Sequence, residues 1–215
     1  MTAPLRFTDK GEHLRRCPIK IRLIQDILEP WKIKNPLRFK ALLMPCLHGE
    51  ELFTLFRKGV PKCNICAIER DRVIWALIRR MRGIDVGLEP LEAHLAIDRI
   101  EAYHPNGFDL IYLDFYSQLL DYDRLMLQKI FAFRMLRPGS KLLLNYGKNR
   151  TTPEAKEMNE MLSRGSGLGP IPTEVDVRSA IEITGHRKPK YIKPHPYTSF
   201  IDGKARRYMT LEAQF

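Results

Sequence analysis

The sequence predicts an α/β fold: a mostly parallel sheet with helices on both faces and an antiparallel β-hairpin at the C-terminus. Three observations carry this expectation. Short, almost wholly apolar runs alternate with longer stretches of helical period, the pattern of strands buried on both faces and joined by crossover helices. Gly and Pro punctuate the boundaries, as at Gly59-Val60-Pro61 and Arg137-Pro138-Gly139. Finally, two β-prone runs flank Asp202-Gly203 near the end of the chain, a dipeptide that suits a tight hairpin turn.

The elements follow in order. Residues 1–38 read as a basic, helical extension in which Arg15, Arg16, Lys20 and Arg22 cluster. Within it Ile21, Ile24 and Leu28 fall on one face of a helix over 21–28, the spacing of an amphipathic segment. Residues 39–215 form the main domain. Strands are expected at 41–44, 64–69, 84–88, 109–113 and 141–146, with helices at 50–58, 72–81, 91–103 and 123–136. A helix at 153–163 and a Gly/Pro-rich connector at 165–172 come next. Thr173 and Asp176 then open a helix to 184 in a capping-box-like arrangement. The hairpin strands are 191–201 and 207–215.

Composition narrows the function classes. The 215 residues are 44% hydrophobic and 28% charged, enough apolar surface for a core and against a disordered chain. No run approaches the ~20 apolar residues of a membrane span. The first residues lack the apolar centre of a secretion signal, and four cysteines are too few for a disulfide scaffold. A cytoplasmic location is therefore expected, and the Asn149-Arg150-Thr151 sequon is taken as chance. Thirty-six Lys+Arg against 25 Asp+Glu give a formal charge of +11, which points to an anionic partner, nucleic acid first. The charge clusters at 15–22, 32–40, 79–82 and 186–193, the last interleaved with Tyr191, Tyr197 and Phe200. That mixture suits phosphate contact with base stacking; a merely solvated face is the competing reading.

Other chemistries find less support. Cys63-Asn64-Ile65-Cys66 has no second pair at zinc-finger spacing. Residues three apart on a strand also point to opposite faces, so packed thiols are expected and no metal site. The chain carries no Gly-x-x-x-x-Gly-Lys-Ser/Thr and no Gly-x-Gly-x-x-Gly, which disfavours a P-loop nucleotidase and a nicotinamide enzyme.

Four segments stand at carboxyl ends of expected strands, where open α/β sheets hold ligands. They are Met44-Pro45-Cys46-Leu47-His48-Gly49-Glu50-Glu51, Ala67-Ile68-Glu69-Arg70, Glu89-Pro90-Leu91-Glu92, and Ile111-Tyr112-Leu113-Asp114-Phe115-Tyr116-Ser117. With these and the terminal hairpin, residues 39–215 resemble the class I S-adenosylmethionine-dependent methyltransferase superfamily, a Rossmann-like fold. The resemblance implies S-adenosylmethionine as cofactor. It assigns Pro45, Cys46, His48, Gly49 and Glu50 to the cofactor loop, although the family's usual Gly-x-Gly is here reduced to Gly49. Glu69, beside Arg70, would accept hydrogen bonds from the ribose, with a helix cap or salt bridge as the alternative. Glu89 and Leu91 would flank the adenine; alternatively, Glu89 precedes a helix that Pro90 begins.

At the fourth segment, relatives that methylate exocyclic amines of bases carry Asp/Asn-Pro-Pro-Tyr/Phe. This chain keeps the acid and the aromatics without the prolines. Asp114 would orient the acceptor or take its proton, and Phe115 or Tyr116 would stack on a base flipped from its helix. The competing reading is a capping Asp over core aromatics. The expected function is a methyltransferase acting on DNA or RNA. The alternative is a catalytically inactive, methyltransferase-like nucleic-acid-binding or structural subunit of a viral or plasmid-encoded assembly. A small-molecule methyltransferase with an incidental basic surface comes third.

Overall fold

The computed structural model describes residues 18–45, 50–69, 72, 75–76, 93–115, 121–147, 173–201 and 204–215. Helix α1 (Pro18–Leu28) precedes β1 (Ala41–Leu43) and α2 (Glu50–Arg57). A 3-10 turn (Lys62–Asn64) leads into β2 (Ile65–Ala67). Then come α3 (Ala93–Tyr103), β3 (Phe108–Asp114), α4 (Asp121–Ala132), β4 (Leu136–Gly147), α5 (Thr173–Thr184), β5 (Tyr191–Ile201) and β6 (Lys204–Gln214). Among the described residues no helix is long and apolar enough to cross a membrane. The expected strand 84–88, the helix 153–163, the connector 165–172 and the Asp202-Gly203 turn lie outside the described residues. Of the helix expected at 72–81, Arg72, Trp75 and Ala76 are described, and all three are helical.

The described strands form one sheet in the order β2-β1-β3-β4-β6-β5. β1 runs parallel to β2 and β3, and β3 runs parallel to β4. β6 is inserted antiparallel between β4 and β5. The expected fold class is thus the observed one, with an antiparallel hairpin completing a parallel sheet. Its parallel strands are apolar on both sides because helices cover both faces.

Side-chain alternation sorts the core into two layers. On one face Leu42, Ile111, Leu113, Leu142, Leu144 and Leu211 pack under Ile97, Ile100, Leu127, Ile130, Val177 and Ile181 of α3, α4 and α5. On the other, Ala41, Leu43, Leu110, Tyr112 and Leu143 pack under Ile24, Ile27 and Leu28 of α1 and Leu52 and Leu55 of α2. The period read at Ile21, Ile24 and Leu28 is therefore a buried face, each residue at most 7% exposed. Burying each such side chain is worth about 1.5–3 kcal/mol. Toward β6 this second face turns polar, since Asp114, Lys141, Asn145, Thr210 and Glu212 hold positions that register with its apolar residues.

Two boundaries differ most from expectation. The helix expected to reach 136 ends at Ala132, and β4 starts at Leu136 rather than 141. Arg134 takes a left-handed conformation (φ 51°). Its N–H bonds to Phe131 O at 3.0 Å, and Met135 N–H bonds to Ile130 O at 3.0 Å, the paired bonds of a Schellman termination. Arg137-Pro138-Gly139 then belongs to an irregular start of β4, where pairing jumps from Phe108↔Leu136 to Leu110↔Lys141. Gly139 (φ 81°) supplies the conformation this irregularity needs, and its N–H reaches Phe215 O at 2.6 Å.

Candidate active site at the carboxyl edge of the sheet

Asp114 is the last residue of β3, so its carboxylate stands at the carboxyl edge of the parallel strands. Its two oxygens are held from different elements. Lys20 Nζ, from the first turn of α1, donates to Oδ2 at 2.5 Å, and Asn145 Nδ2 of β4 donates to Oδ1 at 2.5 Å. The register explains the second bond, because Asn145 is the direct β4 neighbour of Asp114. Asn145 Oδ1 in turn accepts from Tyr197 Oη at 2.8 Å and Thr210 Oγ1 at 3.1 Å. Tyr197 stacks on Tyr208 with ring centroids 5.3 Å apart. The ion pair is shielded without being dry, the Lys20 and Asp114 side chains being 12% and 17% exposed.

Two residues before Asp114, on the same face of β3, the Tyr112 hydroxyl is fully buried and without a hydrogen-bond partner among the described residues. Burial pushes its pKa well above the ordinary phenol value; the nearby charges of Asp114 and Glu51 add to the rise, and Lys20 opposes it. Glu51, in the first turn of α2, is 2% exposed.

A second polar cluster lies further along the same face. Glu212 Oε1 accepts from Lys141 Nζ at 2.5 Å and Tyr191 Oη at 2.7 Å, while Oε2 meets His195 Nε2 at 3.0 Å. Burial works to raise the Glu212 pKa. The bonds from Lys141, Tyr191 and His195 outweigh it and hold the carboxyl below its usual value. Burial and the Glu212 bond push Tyr191 up to about 12.

The other expected site residues are distributed as follows. Pro45 is buried two residues past β1, and Glu69 stands half-buried two residues past β2, both on the carboxyl side. Glu50 begins α2. Phe115 is 6% exposed and packs in the larger core cluster. Cys46, His48, Gly49, Arg70, Glu89, Leu91 and Tyr116 lie outside the described residues. Cys63 is exposed in the 3-10 turn rather than on a strand, and Cys66 is buried with its thiol pushed up to about 12. Among the described residues no group of three or more His, Cys, Asp or Glu is disposed to hold a metal ion.

The basic segment 186–190 lies at the opposite edge. Lys190 N–H bonds to Gln214 O, and Gln214 pairs with Lys141 near the amino end of β4. His186 packs against Phe131 and Phe215, and Arg187 Nη2 donates to Leu136 O at 3.0 Å. The Tyr191 and Tyr197 hydroxyls serve the internal networks. The hairpin tip is different: β6 leaves β4 at the pair Gly147↔Tyr208 and continues with β5 to Ile201↔Lys204. Lys204, Arg206 and Arg207 are thereby carried past the carboxyl edge.

Sequence reasoning missed Lys20 and Asn145 as site residues. Asn145 had a signal, as the one polar residue within Leu142-Leu143-Leu144-Asn145-Tyr146. Lys20 had none beyond membership of a basic cluster, for its partner lies 94 residues away.

No protein-family model and no curated protein sequence matches the chain. Solved structures do match in fold. A SAM-dependent methyltransferase from Archaeoglobus fulgidus aligns at 10% identity and TM-score 0.52, covering 91% of this chain and 94% of that one. An O-methyltransferase from Bacillus cereus in complex with SAH aligns at 14% identity and TM-score 0.50, covering 94% and 83%. A structure concerned with conversion of a disulfide bond into a thioacetal group during echinomycin biosynthesis aligns at 15% identity and TM-score 0.51, also covering 94% and 83%. The fold is that of the class I, Rossmann-like methyltransferases.

Proposed function

We propose that the chain is an S-adenosylmethionine-dependent methyltransferase acting on nucleic acid. The observation that carries the reading is the pairing of fold and edge. An antiparallel β6 completes a parallel sheet whose carboxyl edge presents Glu69 after β2 and Asp114 ending β3. The donor chemistry fits the cofactor. A ribose diol needs acceptors, which the half-buried Glu69 carboxylate supplies. In this reading Pro45, Cys46, His48, Gly49 and Glu50 hold the methionine end, Arg70 supports Glu69, and Glu89 with Leu91 flanks the adenine. When bound, the cofactor supplies an electrophilic methyl group on a sulfonium.

The chain's own part is to hold the acceptor in line, the positioning that supplies most of the rate. Asp114 orients the acceptor atom or takes its proton. Asn145 fixes the carboxylate, Phe115 supports the site from the core, and Tyr116 is the residue assigned to stack on the acceptor. Residues 1–38 act as an extension whose helix covers the acceptor side of domain 39–215. The +11 charge supports a nucleic-acid acceptor, with Lys204, Arg206 and Arg207 at the hairpin tip as the phosphate contacts on the correct edge.

The test is transfer of a tritiated methyl group from S-adenosylmethionine to RNA and to DNA. Label should enter one of them, and Asp114→Asn should slow transfer at least about 100-fold. Label entering only small molecules would remove the nucleic-acid assignment.

A further inference from the structure

We propose that Lys20 occupies, on Asp114, the place of an acceptor's amino group, so that helix α1 covers an amino-recognising subsite which a ligand enters by displacing Lys20. The inference rests on the methyltransferase reading and narrows its acceptor to a group bearing an amino nitrogen. Both carboxylate oxygens of Asp114 are met by nitrogen donors, Lys20 Nζ on one and Asn145 Nδ2 on the other. The two donors are not equivalent. Asn145 is 3% exposed and pinned by Tyr197 and Thr210 through its carbonyl oxygen. Lys20 reaches Asp114 on a long stem from the first turn of α1, outside the sheet, and its side chain is 12% exposed. It is the exchangeable member.

A second observation points to a ligand. The Tyr112 hydroxyl, two residues before Asp114 on the same face of β3, is fully buried without a partner among the described residues. Leaving such a group unsatisfied carries a desolvation penalty that a hydrogen-bonding ligand relieves. It lies near enough to Asp114 and Lys20 to feel both charges. An incoming group with an amino nitrogen beside an acceptor atom would replace Lys20 on Asp114 and take the phenolic proton as a hydrogen bond. A phosphate or a bare carbonyl at the same place would face a carboxylate and be repelled.

The test is pulse acetylation of Lys20 by acetic anhydride on the full chain, read by mass spectrometry, with Lys129 as internal control because it is paired elsewhere, with Asp98. Asp114→Asn should speed Lys20 acetylation several-fold while Lys129 is unchanged; an unchanged Lys20 rate overturns the proposal. Saturating oligo(dA) or oligo(dC) should also speed it, and oligo(dT), which has no amino group, should not. Equal acceleration by all three would show release by phosphate and overturn the proposal, leaving the nucleic-acid reading intact. Unchanged labelling under demonstrated binding has the same consequence. No binding of any of the three, nor of the corresponding oligo(rA), oligo(rC) and oligo(rU), overturns both.

Discussion

Asn145 ties three strands together through one amide, donating to Asp114 on β3 and accepting from Tyr197 on β5 and Thr210 on β6. Replacing it by a leucine of similar volume would strand a carboxylate oxygen and two hydroxyls in a place where water enters poorly. Asn145→Leu should cost at least about 2 kcal/mol, read as a lower urea midpoint at an unchanged slope. Unaltered stability would mean that these groups find other partners. Glu212 supports a pH prediction. Its folded pKa lies below its ordinary value, so the unfolded chain binds its proton first as pH falls. The stabilisation is complete above the unfolded carboxylate pKa and is lost as pH drops through that value toward the folded one. Urea midpoints should fall over this acid range in the wild type and less steeply in Glu212→Gln. Asp114 was legible because it ends an apolar run, Asp109-Leu110-Ile111-Tyr112-Leu113. Its partners were not, since hydrogen bonds across strands and from a distant helix depend on register that a linear sequence does not display.

Among the elements, α4 shows where periodicity misleads. Phe133, Met135 and Leu136 continue an apolar spacing, yet the helix stops because Arg134 turns left-handed. Helices α2 and α5 close with the same pair of bonds, but there the left-handed residue is Gly59 or Gly185, and their ends were readable. A non-glycine residue in this conformation costs about 1–2 kcal/mol. Arg134→Gly should therefore raise the thermal midpoint, a gain of up to about 1 kcal/mol after the added freedom of the unfolded chain is subtracted. A lowered midpoint would assign Arg134 a stabilising contact that outweighs the strain. Helix α1 gives the opposite case, an amphipathic pattern that the fold uses as read. Ile24, 2% exposed, should cost about 2–5 kcal/mol on truncation to alanine, measured in the same urea titration.

For the molecule as a whole, the fold class was legible from two signals, the βα alternation and the terminal hairpin, while the strand order was not. Nor was the placement of charge. Segments 186–190 and 204–207 look alike as basic stretches, but the antiparallel hairpin sends them to opposite edges of the sheet. Binding to nucleic acid should weaken steeply with added salt if phosphate contacts dominate. Removing Arg206 and Arg207 together should flatten that dependence more than removing Lys188 and Lys190; the reverse order would move the binding surface to the amino edge. Beneath all of this lies the claim that the carboxyl edge of this sheet holds S-adenosylmethionine through Glu69. Calorimetric titration of the full chain with S-adenosylmethionine tests it most directly. The account predicts one saturable micromolar site that Glu69→Ala abolishes, and heat indistinguishable from dilution at millimolar cofactor would contradict it.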